Sequence, residues 1–83
     1  MDKPREYLKK MRNEMGLTMQ DMGDALGISR QYYNLIETGV SQKRMDITLV
    51  RKLADIFGAT LDEIAQREQE WLAEDETEKE ETA

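Results

Sequence analysis

The tightest constraint on how this chain can fold lies between Thr18 and Gly39. Two apolar-periodic segments, each roughly eight or nine residues long, are separated only by Gly27-Ile28-Ser29. Gly27 permits a positive φ, Ile28 plugs the corner, and Ser29 is a good N-cap for the second segment. Such a joint holds two short helices at a steep angle, as in a helix-turn-helix unit, whereas a plain helical hairpin has longer arms with matched stripes. Gly23 lies inside the first arm, where Gly costs about 1 kcal/mol against Ala, and so predicts close approach of another helix.

Helical signals continue on both sides. Pro4 suits a first turn, where its missing N–H needs no partner, and a first helix is predicted from Pro4 to Met15. Leu8, Met11 and Met15 would face inward, with Gly16 as C-cap. Thr18 and Asp21 resemble a capping box opening the second helix, whose apolar positions are Met19, Met22, Ala25 and Leu26. At about 100° per residue, Ser29, Tyr33, Ile36 and Val40 fall on one side of the third helix. Arg30, Gln31, Asn34, Leu35 and Thr38 fall on the other. A polar loop over 39–46 carries Lys43 and Arg44. A fourth helix, capped by Asp46, turns Ile47, Val50, Leu53, Ala54 and Phe57 inward. Thr60 and Glu63 open a fifth helix with Leu61, Ile64 and Ala65 inward, continuing through Trp71 and Leu72. No alternating strand pattern is present, so the fold class is all-α: a compact five-helix domain over residues 1–72. Residues 73–83 form an acidic low-complexity tail expected to be disordered.

The text GLTMQDMGDALGISRQYYNLIETG resembles the phage-repressor and Cro-type helix-turn-helix, also called the xenobiotic-response-element type. The landmarks are Arg12, Gly16-Leu17-Thr18, Ala25, Gly27-Ile28-Ser29, Ile36, Glu37 and Gly39. The likeness runs through Lys52-Leu53-Ala54 and Phe57-Gly58 to Leu61 and Ile64, covering residues 5–65 or so. It implies a lambda-repressor-like DNA-binding domain with the third helix in the major groove. By that resemblance Arg30, Gln31, Asn34 and Leu35 face base edges, on the side that the helix wheel leaves exposed. Arg can pair with guanine and Gln with adenine through two hydrogen bonds, each pair worth about 1–3 kcal/mol of discrimination. Leu35 departs from the polar residue common at its position. It either touches a thymine methyl or only packs against Tyr32, and both readings stand. Gln20, Tyr32, Thr38, Lys43 and Arg44 are the candidates for phosphate contacts. Met19 is a second departure, because the family often has a phosphate-bonding Gln there. Arg12 and Glu37 match a partly buried ion pair that ties the first helix to the third and orients it. Stranding one partner should cost several kcal/mol.

Composition narrows the chemistry. A chain of 83 residues builds one small core. Without Cys or His it has no thiol nucleophile, disulfide, imidazole base or usual zinc set, so neither metal nor other cofactor is expected. Asp24 and Asp62-Glu63 sit at helix starts or exposed turns, so no catalytic residue is assigned and an enzyme is not expected. No long apolar run or leader-like segment occurs, which predicts a cytoplasmic protein without a membrane partner. The net charge is −6, yet residues 1–64 balance ten basic against ten acidic side chains. Residues 65–83 hold two basic and eight acidic ones, so the excess belongs to the C-terminal stretch. A neutral domain attracts DNA weakly, and doubling through a homodimer is expected to compensate. Leu61, Ile64, Trp71 and Leu72 are the candidate dimer face, with Trp71 alternatively folding back on its own first helix.

These observations predict a sequence-specific, double-stranded-DNA-binding transcriptional regulator of the repressor kind, acting as a dimer on a two-fold operator, with no effector domain following it. The rival is a protein-interaction module that uses the helix-turn-helix as scaffold. Its fifth helix and acidic tail would bind another regulator or polymerase. The neutral charge and Leu35 favour that rival; Arg30, Gln31 and the basic loop favour DNA.

Overall fold

Five helices follow one another through short connections in the computed structural model, which describes residues 3–82 and the side chains of residues 3–74. They are α1 (Glu6–Glu14), α2 (Met19–Leu26), α3 (Arg30–Glu37), α4 (Ile47–Phe57) and α5 (Leu61–Thr82). No strand occurs among the described residues, so the all-α expectation holds.

Short polar side chains set the boundaries. The Thr18 hydroxyl accepts the Asp21 N–H at 3.0 Å, and the Asp21 carboxylate accepts the Thr18 N–H at 2.9 Å, completing the capping box. Ser29 accepts from the Tyr32 N–H at 3.0 Å, and Asp46 from the Leu49 N–H at 2.8 Å. Thr60 accepts the Glu63 N–H at 3.1 Å. Each cap is worth about 1 kcal/mol. All five helices then feed one core: Leu8 from α1, Met22 and Leu26 from α2, Tyr33 and Ile36 from α3, Val50, Leu53 and Ala54 from α4, and Ile64 from α5.

Several inward assignments are corrected at helix ends. Met15, Val40, Ile47 and Leu61 are exposed. Met15 is the C-cap of α1, Val40 lies past the end of α3, and Ile47 and Leu61 are the first residues of α4 and α5. A terminal residue lacks a neighbouring turn to cover it, so extending the stripe by periodicity overshoots. Ala25, next to the last residue of α2, is exposed as well. At the chain's start, Pro4 lies outside α1 and Arg5 is its N-cap residue. The Arg5 N–H donates to the Glu37 carbonyl at 2.7 Å, which fixes where α1 begins.

At the other end α5 carries through position 73, where the tail was set to begin, and Ala73 and Glu74 are exposed. No Gly or Pro interrupts that stretch, and Glu, Lys and Ala are good helix formers. The side chains of 75–82 and all of residue 83, which hold most of the acidic run, lie outside the described residues.

Candidate nucleic-acid interface

The turn between α2 and α3 is fixed by backbone contacts. Gly27 is the left-handed C-cap of α2, at φ +73°. The Ile28 N–H then donates to the Gly23 carbonyl at 2.9 Å. A Cβ on Gly23 would stand 2.9 Å from the Ile28 carbonyl oxygen and 3.1 Å from the Arg30 nitrogen. The close approach predicted at Gly23 is therefore real, and the approaching backbone is the turn together with the first residue of α3.

This packing leaves α3 with two unlike faces. Tyr33, Ile36 and Glu37 are buried, whereas Arg30, Gln31, Asn34 and Leu35 are exposed. Those four, with Met19 at the head of α2, line one open depression of about 450 Å³. Three of them offer hydrogen-bonding groups of the kinds that recognise base edges.

Behind this face, α3 is tied to α1. The Arg12 guanidinium donates to both Glu37 carboxylate oxygens, at 2.9 and 3.1 Å, and to the Leu17 carbonyl at 3.0 Å. The hydrogen bond to Glu37 raises the Arg12 pKa, against the opposing effect of burial. The adjacent Tyr33 hydroxyl is buried without a well-formed hydrogen bond. Burial first, and then the Glu37 carboxylate, push its pKa up. The expected Arg12–Glu37 pair is thus present.

A second buried pair joins Arg5 to Glu68, with no signal in the local sequence. Arg5 is fully buried and donates to both Glu68 carboxylate oxygens at 2.8 Å. It also donates to the Ile36 carbonyl at 2.6 Å, the Ser41 carbonyl at 3.0 Å and the Gln42 carbonyl. Tyr7 donates to Glu68 at 2.7 Å, and burial, reinforced by the Glu68 charge, raises the Tyr7 pKa. The guanidinium lies 4.2 Å from the centre of the Trp71 ring. Arg5 therefore pins the end of α3 and the following loop to α5. Its acidic partner is 63 positions away, so no local pattern could reveal it.

The phosphate candidates are placed unevenly. Gln20 is exposed but donates to Asp24 along its own helix at 2.9 Å. The Tyr32 hydroxyl accepts from Gln42 at 2.8 Å and keeps its own hydrogen for another acceptor. Thr38 has committed its hydrogen to the Asn34 carbonyl at 2.9 Å. Lys43 and Arg44 are both exposed, and Arg44 borders a groove between α4 and α5 rather than the depression beside α3.

The candidate dimer set is corrected. Ile64 is wholly buried in the core of its own chain. The Trp71 indole N–H donates to the Lys3 and Pro4 carbonyls at 3.1 and 3.2 Å, so its ring folds back on its own N-terminal segment. Leu61 is exposed and Leu72 half-buried, and Leu72 borders the Arg44 groove beside Ile47 and Val50.

Two short helices locked by a three-residue turn, the second buried on one side and polar on the other, define a DNA-binding domain of the helix-turn-helix class. Comparison with known proteins agrees. Residues 8–64 match the family described as Helix-turn-helix, and the chain belongs to that family. It is similar to the SPbeta prophage-derived uncharacterized HTH-type transcriptional regulator YonR of Bacillus subtilis (strain 168). The two are 40% identical over 57 residues, which is 69% of this chain and 51% of that protein. The chain thus spans about half the length of that relative. No solved structure matches. No helix among the described residues is long and apolar enough to cross a membrane.

Proposed function

We propose that this chain is a cytoplasmic transcriptional repressor that binds a two-fold symmetric DNA operator as a homodimer, with α3 in the major groove. The observation that carries this reading is the exposed side of α3, where Arg30, Gln31 and Asn34 stand together. Arg30 suits guanine, and Gln31 and Asn34 suit adenine. Tyr32 and Lys43 are assigned to phosphates, with Gln20, Thr38 and Arg44 as secondary contacts that need a side-chain rearrangement or a neighbouring half-site. The similarity to a prophage-derived transcriptional regulator supports a regulatory role. Exposed apolar surface at Ile47, which shares a groove with Leu72, and at Leu61 supports a dimer face along α4 and α5. Two copies would then present their α3 helices about 34 Å apart, one turn of DNA.

The test is selection of bound duplexes from a randomised pool at near-physiological salt, beside a Gln31→Ala variant. A two-fold motif with half-sites one helical turn apart, relaxed at one position in the variant, is the expected result. No enrichment by the wild type refutes the DNA reading and turns attention to a protein partner.

A further inference from the structure

We propose that Met19 and Leu35 together form an apolar seat for a thymine 5-methyl group, which makes Met19 a specificity-determining residue contributed by the helix outside the groove. The inference rests on the DNA-binding reading above and names one chemical group that the same face recognises. Met19 begins α2 and Leu35 lies in the middle of α3, yet both line the depression that holds Arg30, Gln31 and Asn34. Leu35 is 38% exposed, so part of its side chain is open to a group entering the depression. Met19 is half-buried: it packs against the core and also borders the depression.

The chemistry of the major groove then selects the occupant. Base pairs present donors and acceptors there, and among the four standard bases the thymine methyl is the apolar group on offer. An A·T pair carries that methyl beside the adenine edge that Gln31 or Asn34 can hydrogen-bond. A mixed apolar and amide lining therefore matches A·T better than G·C, whose edge would leave Met19 and Leu35 against polar groups. A flexible thioether also adapts to a methyl whose position varies with local DNA shape.

The test uses the full chain and the duplex enriched in the selection described above. Each thymine is replaced in turn by deoxyuridine, which removes the methyl and keeps the pairing. The wild type should lose about fourfold in affinity at one position per half-site, the equivalent of ~0.8 kcal/mol for one methyl-sized group. Met19→Gln should shrink the difference between the thymine and uracil duplexes at that position, while Met19→Leu should keep it. Circular dichroism confirms that both variants fold. An enriched duplex that tolerates deoxyuridine everywhere overturns the inference alone. So does a Met19→Gln variant that weakens every duplex alike and retains the wild-type uracil penalty, because that is a packing effect. Failure to enrich any duplex overturns the DNA reading and this inference with it.

Discussion

Replacing Arg5 with Met should be among the most damaging single changes in this domain. Met preserves most of the side-chain stem, so the loss is chiefly that of the guanidinium. Glu68 is 5% exposed and would keep only the Tyr7 hydroxyl as a donor among the contacts described. The carbonyls of Ile36, Ser41 and Gln42 would lose their shared partner. Removing one member of a buried ion pair costs about 3–5 kcal/mol. A domain of this length is typically stable by only about 4–12 kcal/mol, so the change removes much of the margin. Urea unfolding followed by far-UV circular dichroism measures it. With a slope of about 1 kcal/mol per molar urea, the midpoint should fall by roughly 3 M or more. The partner variant Glu68→Leu should also be destabilised, because Arg5 is then buried without its carboxylate. The double variant should be at least ~1 kcal/mol more stable than the two single losses add up to, since it leaves neither charge stranded. A midpoint for Arg5→Met within about 0.5 M of the wild type, at that same slope, would refute the argument. Strict additivity in the cycle would refute the direct coupling.

Three further outcomes are expected. Tyr7 and Tyr33 hold raised pKa values in the folded state, so above about pH 10 the unfolded chain releases protons that the native chain retains. The contribution of these tyrosines should therefore be level below that pH, and stability should fall as pH rises beyond it, by up to about 1.4 kcal/mol per pH unit for each tyrosine, with the slope halved in Tyr33→Phe. Gly39→Ala should release the N-terminal segment. Its φ is +83° and an added Cβ would meet the Lys3 carbonyl oxygen at 2.0 Å, so Trp71 fluorescence should shift toward that of an exposed indole. Lys43→Ala should weaken binding to all duplexes alike and reduce the slope of log affinity against log salt by about 1, whereas an altered base preference would contradict its assignment to phosphate.

What the sequence makes legible here is what neighbours decide. The caps at Thr18, Ser29 and Asp46 each close over three residues, so their residue types announce them. The exposed side of α3 follows from its buried side, because Tyr33 and Ile36 leave Arg30, Gln31 and Asn34 nowhere else to point. Arg12 and Glu37 were legible through resemblance, and no local rule links them. Met15, Val40, Ile47 and Leu61 were misplaced because a helical wheel assumes that every turn has cover. Arg5 and Glu68 give no local signal, because two ordinary surface-type residues acquire their roles only when the segment before α1 meets α5. The choice for Trp71, its own chain or a partner, turned on two backbone carbonyls that composition cannot display.

That contact between the segment before α1 and α5 has a consequence for the order in which the protein is made. The α2–α3 unit can close as soon as Glu37 is synthesised, since its contacts are local. Arg5, by contrast, must wait for its partner Glu68, which is made 31 positions after Glu37. At roughly 5–20 residues per second, that is a delay of about 2–6 s. Until then Arg5 lacks its carboxylate, and the end of α3 lacks its tie to α5. The reading helix is thus among the first parts of the molecule to form and among the last to be fixed in place.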